Sequence, residues 1–173
     1  MNDEPPNYTE IIEEWTGKKI YQILYDTDID EFSSRSFWRS IKGRTNIMII
    51  IQTSKNYVFG SYHSLLPNRQ EMYTEDNEHF VFTIRNPKEY PPTKFMIKKE
   101  WNKKSLYIYG DDQISDVFFV FGCFLICNNG ESFIKKIFNY TYKHDRDIDA
   151  TIFVGNVWEE YFDVERLICV QFN

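Results

Sequence analysis

The segment NIMIIIQT (46–53), the turn residues Ser54-Lys55-Asn56 and the segment YVFGSYHS (57–64) decide the fold. Two apolar runs separated by a short polar turn predict an antiparallel hairpin. The run Ile47–Ile51 is apolar at every position rather than at alternate ones. A strand of that kind has to be covered on both faces, so it belongs in the middle of a sheet. Working outward, IYQILYD (20–26), HFVFTIR (79–85), TKFMIKK (93–99), SLYIYG (105–110), TIFVGN (151–156) and VERLICVQF (164–172) all read as strands. VFFVFGCFLIC (117–127) reads as one or two buried strands broken at Gly122, and Asn129-Gly130 marks a further turn.

Helical signals are few. Thr9 caps a predicted helix through Trp15 that Gly17 stops, and Ser33 or Ser34 caps a second over 33–42 that ends at Gly43. Residues 1–7 read as a disordered lead-in, and 65–78 and 139–150 as loops. The composition agrees with this: Phe, Tyr and Trp make up 18% of the 173 residues, and Ala150 is the sole alanine. Aromatic and β-branched side chains suit a pleated surface, whereas helices favour Ala and Leu. The chain therefore reads as mainly β, a two-sheet antiparallel β-sandwich with two or more short peripheral helices. Its expected organisation is a lead-in and short helix over 1–19 and one domain over 20–173.

The net charge of −6 repels phosphate backbones as a whole. Cys123, Cys127 and Cys169 are too few for a disulfide framework. The start of the chain lacks an apolar leader region, and no apolar run is long enough to span a bilayer. These features point to a reducing compartment, cytoplasm or nucleus, without membrane insertion. The triplets at Asn7 and Asn139 are then chance glycosylation matches.

Several groupings have residue types that could carry chemistry. Asp26, Asp28 and Asp30 share the spacing of a calcium loop, but its sixth and twelfth positions are Glu31 and Phe37 instead of Gly and Glu. The series beginning at Asp145 fails in the same way, so both read as solvated acidic turns. Cys123 and Cys127, on one strand, would stand about 13 Å apart, too far for a bond or a shared metal. A redox role for either, or for Cys169, would need an exposed thiol of low pKa. His63, His79 and His144 are scattered, and GSYHS lacks the second glycine of a nucleophile elbow. A hydrolase or redox enzyme would have to use residues distant in sequence, His63 or Cys123 among them. No cofactor or metal is expected. Lys94, Lys98, Lys99, Lys103 and Lys104, interleaved with Phe95, Trp101 and Tyr107, form a candidate nucleic-acid patch. The competing reading is a solvated sheet face with its aromatics turned inward. A second group, Arg35, Arg39, Lys42 and Arg44, has the same solvated reading.

Taken in order, several stretches resemble the TLDc domain of oxidation-resistance proteins. They are ILYDTDIDEFSSRSFWRSIKG (23–43), IMIIIQTSKNYVFGSYHS (47–64), FVFTIRNPKEYPPTKF (80–95), VFFVFGCFLIC and YFDVERLICVQF (161–172). The matching motif positions are Gly43, Phe59, Gly60, Tyr62, Phe121, Gly122, Phe162 and Val164. The chain departs from the family pattern at Cys123 and Phe124, where glycines are expected, and at Ile168, where an acidic residue is expected. The resemblance implies a stand-alone, non-enzymatic β-sandwich domain linked to oxidative-stress protection. It also implies binding to the cytosolic subunits of the vacuolar proton-pumping ATPase. Loops 65–78 and 139–150 are the expected docking elements.

Overall fold

The computed structural model describes residues 8–173, so the lead-in expected over 1–7 lies outside the described residues. Ten strands form two antiparallel sheets. The larger has the order β1-β10-β2-β3-β4-β5, built from Ile20–Asp26, Val164–Phe172, Ile47–Thr53, Val58–His63, Phe80–Arg85 and Thr93–Met96. The smaller has the order β6-β7-β8-β9, built from Leu106–Ile108, Asp116–Val120, Phe124–Cys127 and Phe133–Ile134. The predicted hairpin is β2–β3, and β2 is the interior strand that its apolar run requires. Its Ile47, Ile49 and Ile51 enter the core between the sheets, while Met48 and Ile50 face the other way.

The helices fill the margins. Helix α1 (Tyr8–Thr16) lays Ile12 and Trp15 on the outer face of the large sheet, against Met48, Phe80, Phe82 and Phe172. The Trp15 ring meets those of Phe80 and Phe82 at 6.2 and 5.5 Å. Helix α2 (Ser34–Ile41) is capped by Ser33 Oγ, which accepts from Ser36 N. Its Phe37 is clasped between Tyr25 of the large sheet and Phe118 of the small one, at 5.5 and 4.7 Å. None of the described helices is long and apolar enough to cross a membrane.

Three expectations need correcting. Residues 151–156 are not a strand: Ala150–Ile152 form a 3-10 turn that Asp149 caps through Thr151 N. The backbone hydrogen bonds stay local, Ile152 N to the Asp149 carbonyl and Gly155 N to the Thr151 carbonyl, while Ile152, Phe153 and Val154 are all buried. Residues 139–150 are not simply loop either. A short helix, α3 (Phe138–Thr141), opens the segment, and Tyr142 and Ile148 lie in the core. Cys123 and Cys127 also do not share a strand, since Cys123 sits in the β7–β8 turn.

Three of the four sheet edges are flanked by other segments of the chain. Residues 141–143 hydrogen bond beside β5, 71–74 beside β6 and 158–162 beside β9. On β1, the carboxylates of Glu13 and Asp30 accept from Ile20 N and Asp26 N. Such flanking disfavours edge-to-edge association at β5, β6 and β9.

Candidate functional site

In β7 and β8, alternate side chains point away from the core, and they are apolar too. Register pairs Tyr107 with Phe119, Phe119 with Leu125 and Leu125 with Phe133. Directly paired antiparallel residues share a face, so these four form one row across the outside of the small sheet. Tyr73, Tyr109 and Phe121 extend the row at one end, with Tyr73 5.1 Å from Tyr107 and 6.0 Å from Phe121. Trp158 and Tyr161 extend it at the other, with Trp158 4.6 Å from Phe133. The large sheet has α1 over its outer face, whereas the margins of this row, Trp101, Ile137, Trp158 and Tyr161, stay 43–44% exposed. Lysines sit over its rings: Lys104 Nζ lies 5.5 Å from Tyr73 and 5.7 Å from Phe121, and Lys135 Nζ 5.0 Å from Phe119. At the β9 end, Phe133, Ile137 and Trp158 with Lys135 and Lys136 line a groove of about 360 Å³.

A second constellation is internal. Ser61 Oγ and His63 Nε2 are 2.8 Å apart, and both residues are fully buried. The His63 ring stacks on His79 at 4.6 Å. His79 Nδ1 donates to the Tyr62 carbonyl at 2.8 Å, while its Nε2 and the Phe121 carbonyl lie 2.8 and 2.7 Å from the Tyr142 hydroxyl and share its single proton. Burial pushes the pKa of His63 well below its usual value, and the charge of His79 adds to that. Burial likewise lowers His79, to about 4, against the opposing pull of the Tyr62 carbonyl and the Asp76 charge. Asp76, itself buried, accepts from the backbone N–H groups of Ser64, Leu65 and Glu78 and from Ser64 Oγ. This is a Ser–His pair within one strand, sealed inside the sandwich away from solvent.

The cysteines are equally enclosed. Cys123 and Cys169 are fully buried, Cys127 donates to Asp116 Oδ1 at 3.1 Å, and burial raises all three thiols. The acidic turn at 26–30 is partly neutralised from within the chain. Arg166 pairs with Asp26 at 2.7 Å and Asp28 at 3.1 Å, and its hydrogen bond to Asp26 holds that carboxyl below the usual range. Among the described residues, no group of three or more His, Cys, Asp or Glu side chains converges on a metal position.

The TLDc domain model matches residues 7–162, nearly the whole chain. The chain belongs to the TLDc family. No curated protein matches it.

The motif positions of this TLDc domain are mostly architectural. Gly43 follows α2. Phe59 anchors the core among Phe124, Phe153 and Phe162, at 5.1 to 5.7 Å. A Cβ on Gly60 would run into the Ile49 carbonyl oxygen and come within 2.8 Å of the Phe82 ring. Tyr62 stacks on Phe80 and donates to Asn46 Oδ1. Gly122 turns the chain from β7 to β8 at φ +70°, tight against the Thr141 side chain. Phe162 bridges to Ser132 beside β9, and Val164 opens β10 opposite Thr53. Only Phe121 lies on the aromatic face.

The five lysines of the candidate nucleic-acid patch do not come together. Lys94 reaches the Trp15 carbonyl and the Phe80 ring, on the α1 side of the sandwich. Lys98 donates to the Asn139 carbonyl, Lys99 begins a 3-10 turn, and Lys103 is exposed beside it. Lys104 alone is placed over the aromatic face. Of the second basic group, Arg44 bonds Gln171 at the surface. The sequence reading missed Leu125, Phe133, Lys135, Lys136 and Trp158. The available signal was that 117–127 is apolar on both faces, while the helices that the sequence offers are too few to cover both sheets.

Proposed function

We propose that this TLDc domain is a non-enzymatic interaction module that docks a protein partner through the outer face of its four-stranded sheet. One observation carries the reading. The row Tyr107–Phe119–Leu125–Phe133 runs across the outer side of the small sheet to the exposed Trp158 and Tyr161, and among the described residues no helix covers it as α1 covers the large sheet. Extended apolar surfaces of this kind mark interaction sites in soluble domains, and Trp and Tyr are the residues that anchor such contacts. The sealed Ser–His pair and the raised thiols support a role without catalysis. Family resemblance offers the first partner, the cytosolic subunits of the vacuolar proton-pumping ATPase. It also offers the setting, a cytoplasmic response to oxidative stress.

The test is affinity capture from nuclease-treated and untreated lysates, with the wild-type chain and Leu125→Glu side by side. The expected result is recovery of pump subunits that survives nuclease and is lost with Leu125→Glu while the circular dichroism spectrum is kept. Pump subunits captured equally by both proteins would remove this face as the docking surface. Recovery of nucleic acid without pump subunits would replace the reading with a nucleic-acid one.

A further inference from the structure

From the charges around the aromatic row, we infer that the element received by this face is an acidic segment carrying a bulky apolar side chain. The inference rests on the docking reading above and adds to it the chemistry of the partner. Three cations, Lys104, Lys135 and Lys136, lie over the row or line its groove. None of them enters an ion pair among the described residues, where the paired cations are Lys19, Lys88 and Arg166. Glu159 and Glu160 follow Trp158 in the chain, yet neither neutralises Lys135 or Lys136. A protein of net charge −6 thus keeps unpaired lysines beside this apolar face.

The groove between these charges has apolar walls, Phe133, Ile137 and Trp158, with Lys135 and Lys136 among its lining residues. Its volume, about 360 Å³, falls in the range of pockets that enclose a bulky group. A ligand side chain seated there leaves its flanking residues beside the ammonium groups, where carboxylates gain charge-assisted hydrogen bonds. Nucleic acid fits less well. Lys104 and Lys135 already occupy the ring faces on which bases would stack.

A phage-displayed library of random twelve-residue peptides, selected on the folded chain and counter-selected on Leu125→Glu, tests the chemistry. Enriched peptides should carry two or more Asp or Glu residues beside an aromatic or large aliphatic one. Fluorescence anisotropy of a labelled selected peptide should show affinity falling roughly tenfold or more in Lys135→Glu/Lys136→Glu, and falling with added salt. Trp158→Ala should weaken binding without abolishing the salt dependence. Enrichment of basic or uncharged peptides, an empty selection, or acidic peptides indifferent to the lysine variant overturns the inference. So does a twelve-nucleotide single-stranded DNA that displaces the peptide and binds more tightly than it. If pump capture is lost with Leu125→Glu while acidic peptides fail, the docking face stands and its partner chemistry falls. If peptides bind as expected and capture is indifferent to Leu125→Glu, the reverse holds.

Discussion

Acidifying the protein from pH 7.5 to 5.5 protonates His63 and His79 in the unfolded chain, where their pKa is near 6.5, but not in the fold. Both rings are fully buried, stacked on one another, and held neutral by loss of solvent. The folded pKa lies below the unfolded one for each, so the unfolded state binds more protons through this interval. Their contribution is complete above about pH 6.5 and is lost as pH falls toward about 4, the folded value of His79. Each histidine costs about 1.4 kcal/mol per pH unit below 6.5, which makes roughly 3 kcal/mol for the pair by pH 5.5. That is a large part of the roughly 5–15 kcal/mol that holds a domain together. The carboxylates Asp26 and Asp149, whose pKa values are lowered, lose their contributions only at lower pH, outside the interval. Urea unfolding followed by tryptophan fluorescence at pH 7.5, 6.5 and 5.5 measures the effect. His63→Phe removes one titrating ring and its unpartnered buried Nδ1, and should roughly halve the pH dependence. Unfolding free energies that do not change between pH 7.5 and 5.5, or a slope that His63→Phe leaves intact, would refute the reasoning.

Gly60→Ala should lower stability by roughly 1–3 kcal/mol or more, because the added methyl meets the Ile49 carbonyl and the Phe82 ring in the middle of the large sheet; a shift in the urea midpoint measures it. The three thiols should resist an aromatic disulfide reagent in the native protein and react together on unfolding. Rapid labelling of Cys123 in the native state would restore a redox reading.

The sequence announced the large sheet because its strands carry their own punctuation. Ile47–Ile51 needs cover on both sides, Ser54-Lys55-Asn56 turns the chain, and the alternation of Phe95 and Ile97 with Lys94 and Lys98 sets the inner face. It misled at 151–156, where the β-branched and aromatic residues of TIFVGN serve a compact turn. Asp149 caps that turn, and Phe153 drives into Phe59, Phe95 and Phe138. The lysine patch failed for a topological reason. Between Lys94 and Lys104 the chain passes from β5 of one sheet to β6 of the other, so neighbours in sequence reach opposite outer faces. The aromatic face was illegible because its row is set by the register of four strands, and Phe119, Leu125 and Phe133 adjoin only once those strands pair.

Hydrogen–deuterium exchange of the domain, alone and mixed with the cytosolic pump subunits proposed as its partner, tests the central claim most directly. Docking through the small sheet predicts slowed exchange at 106–108, 119–125 and 133–136, with α1 unchanged. Protection confined to α1 and the outer face of the large sheet, with β6 to β9 unaffected, would contradict it.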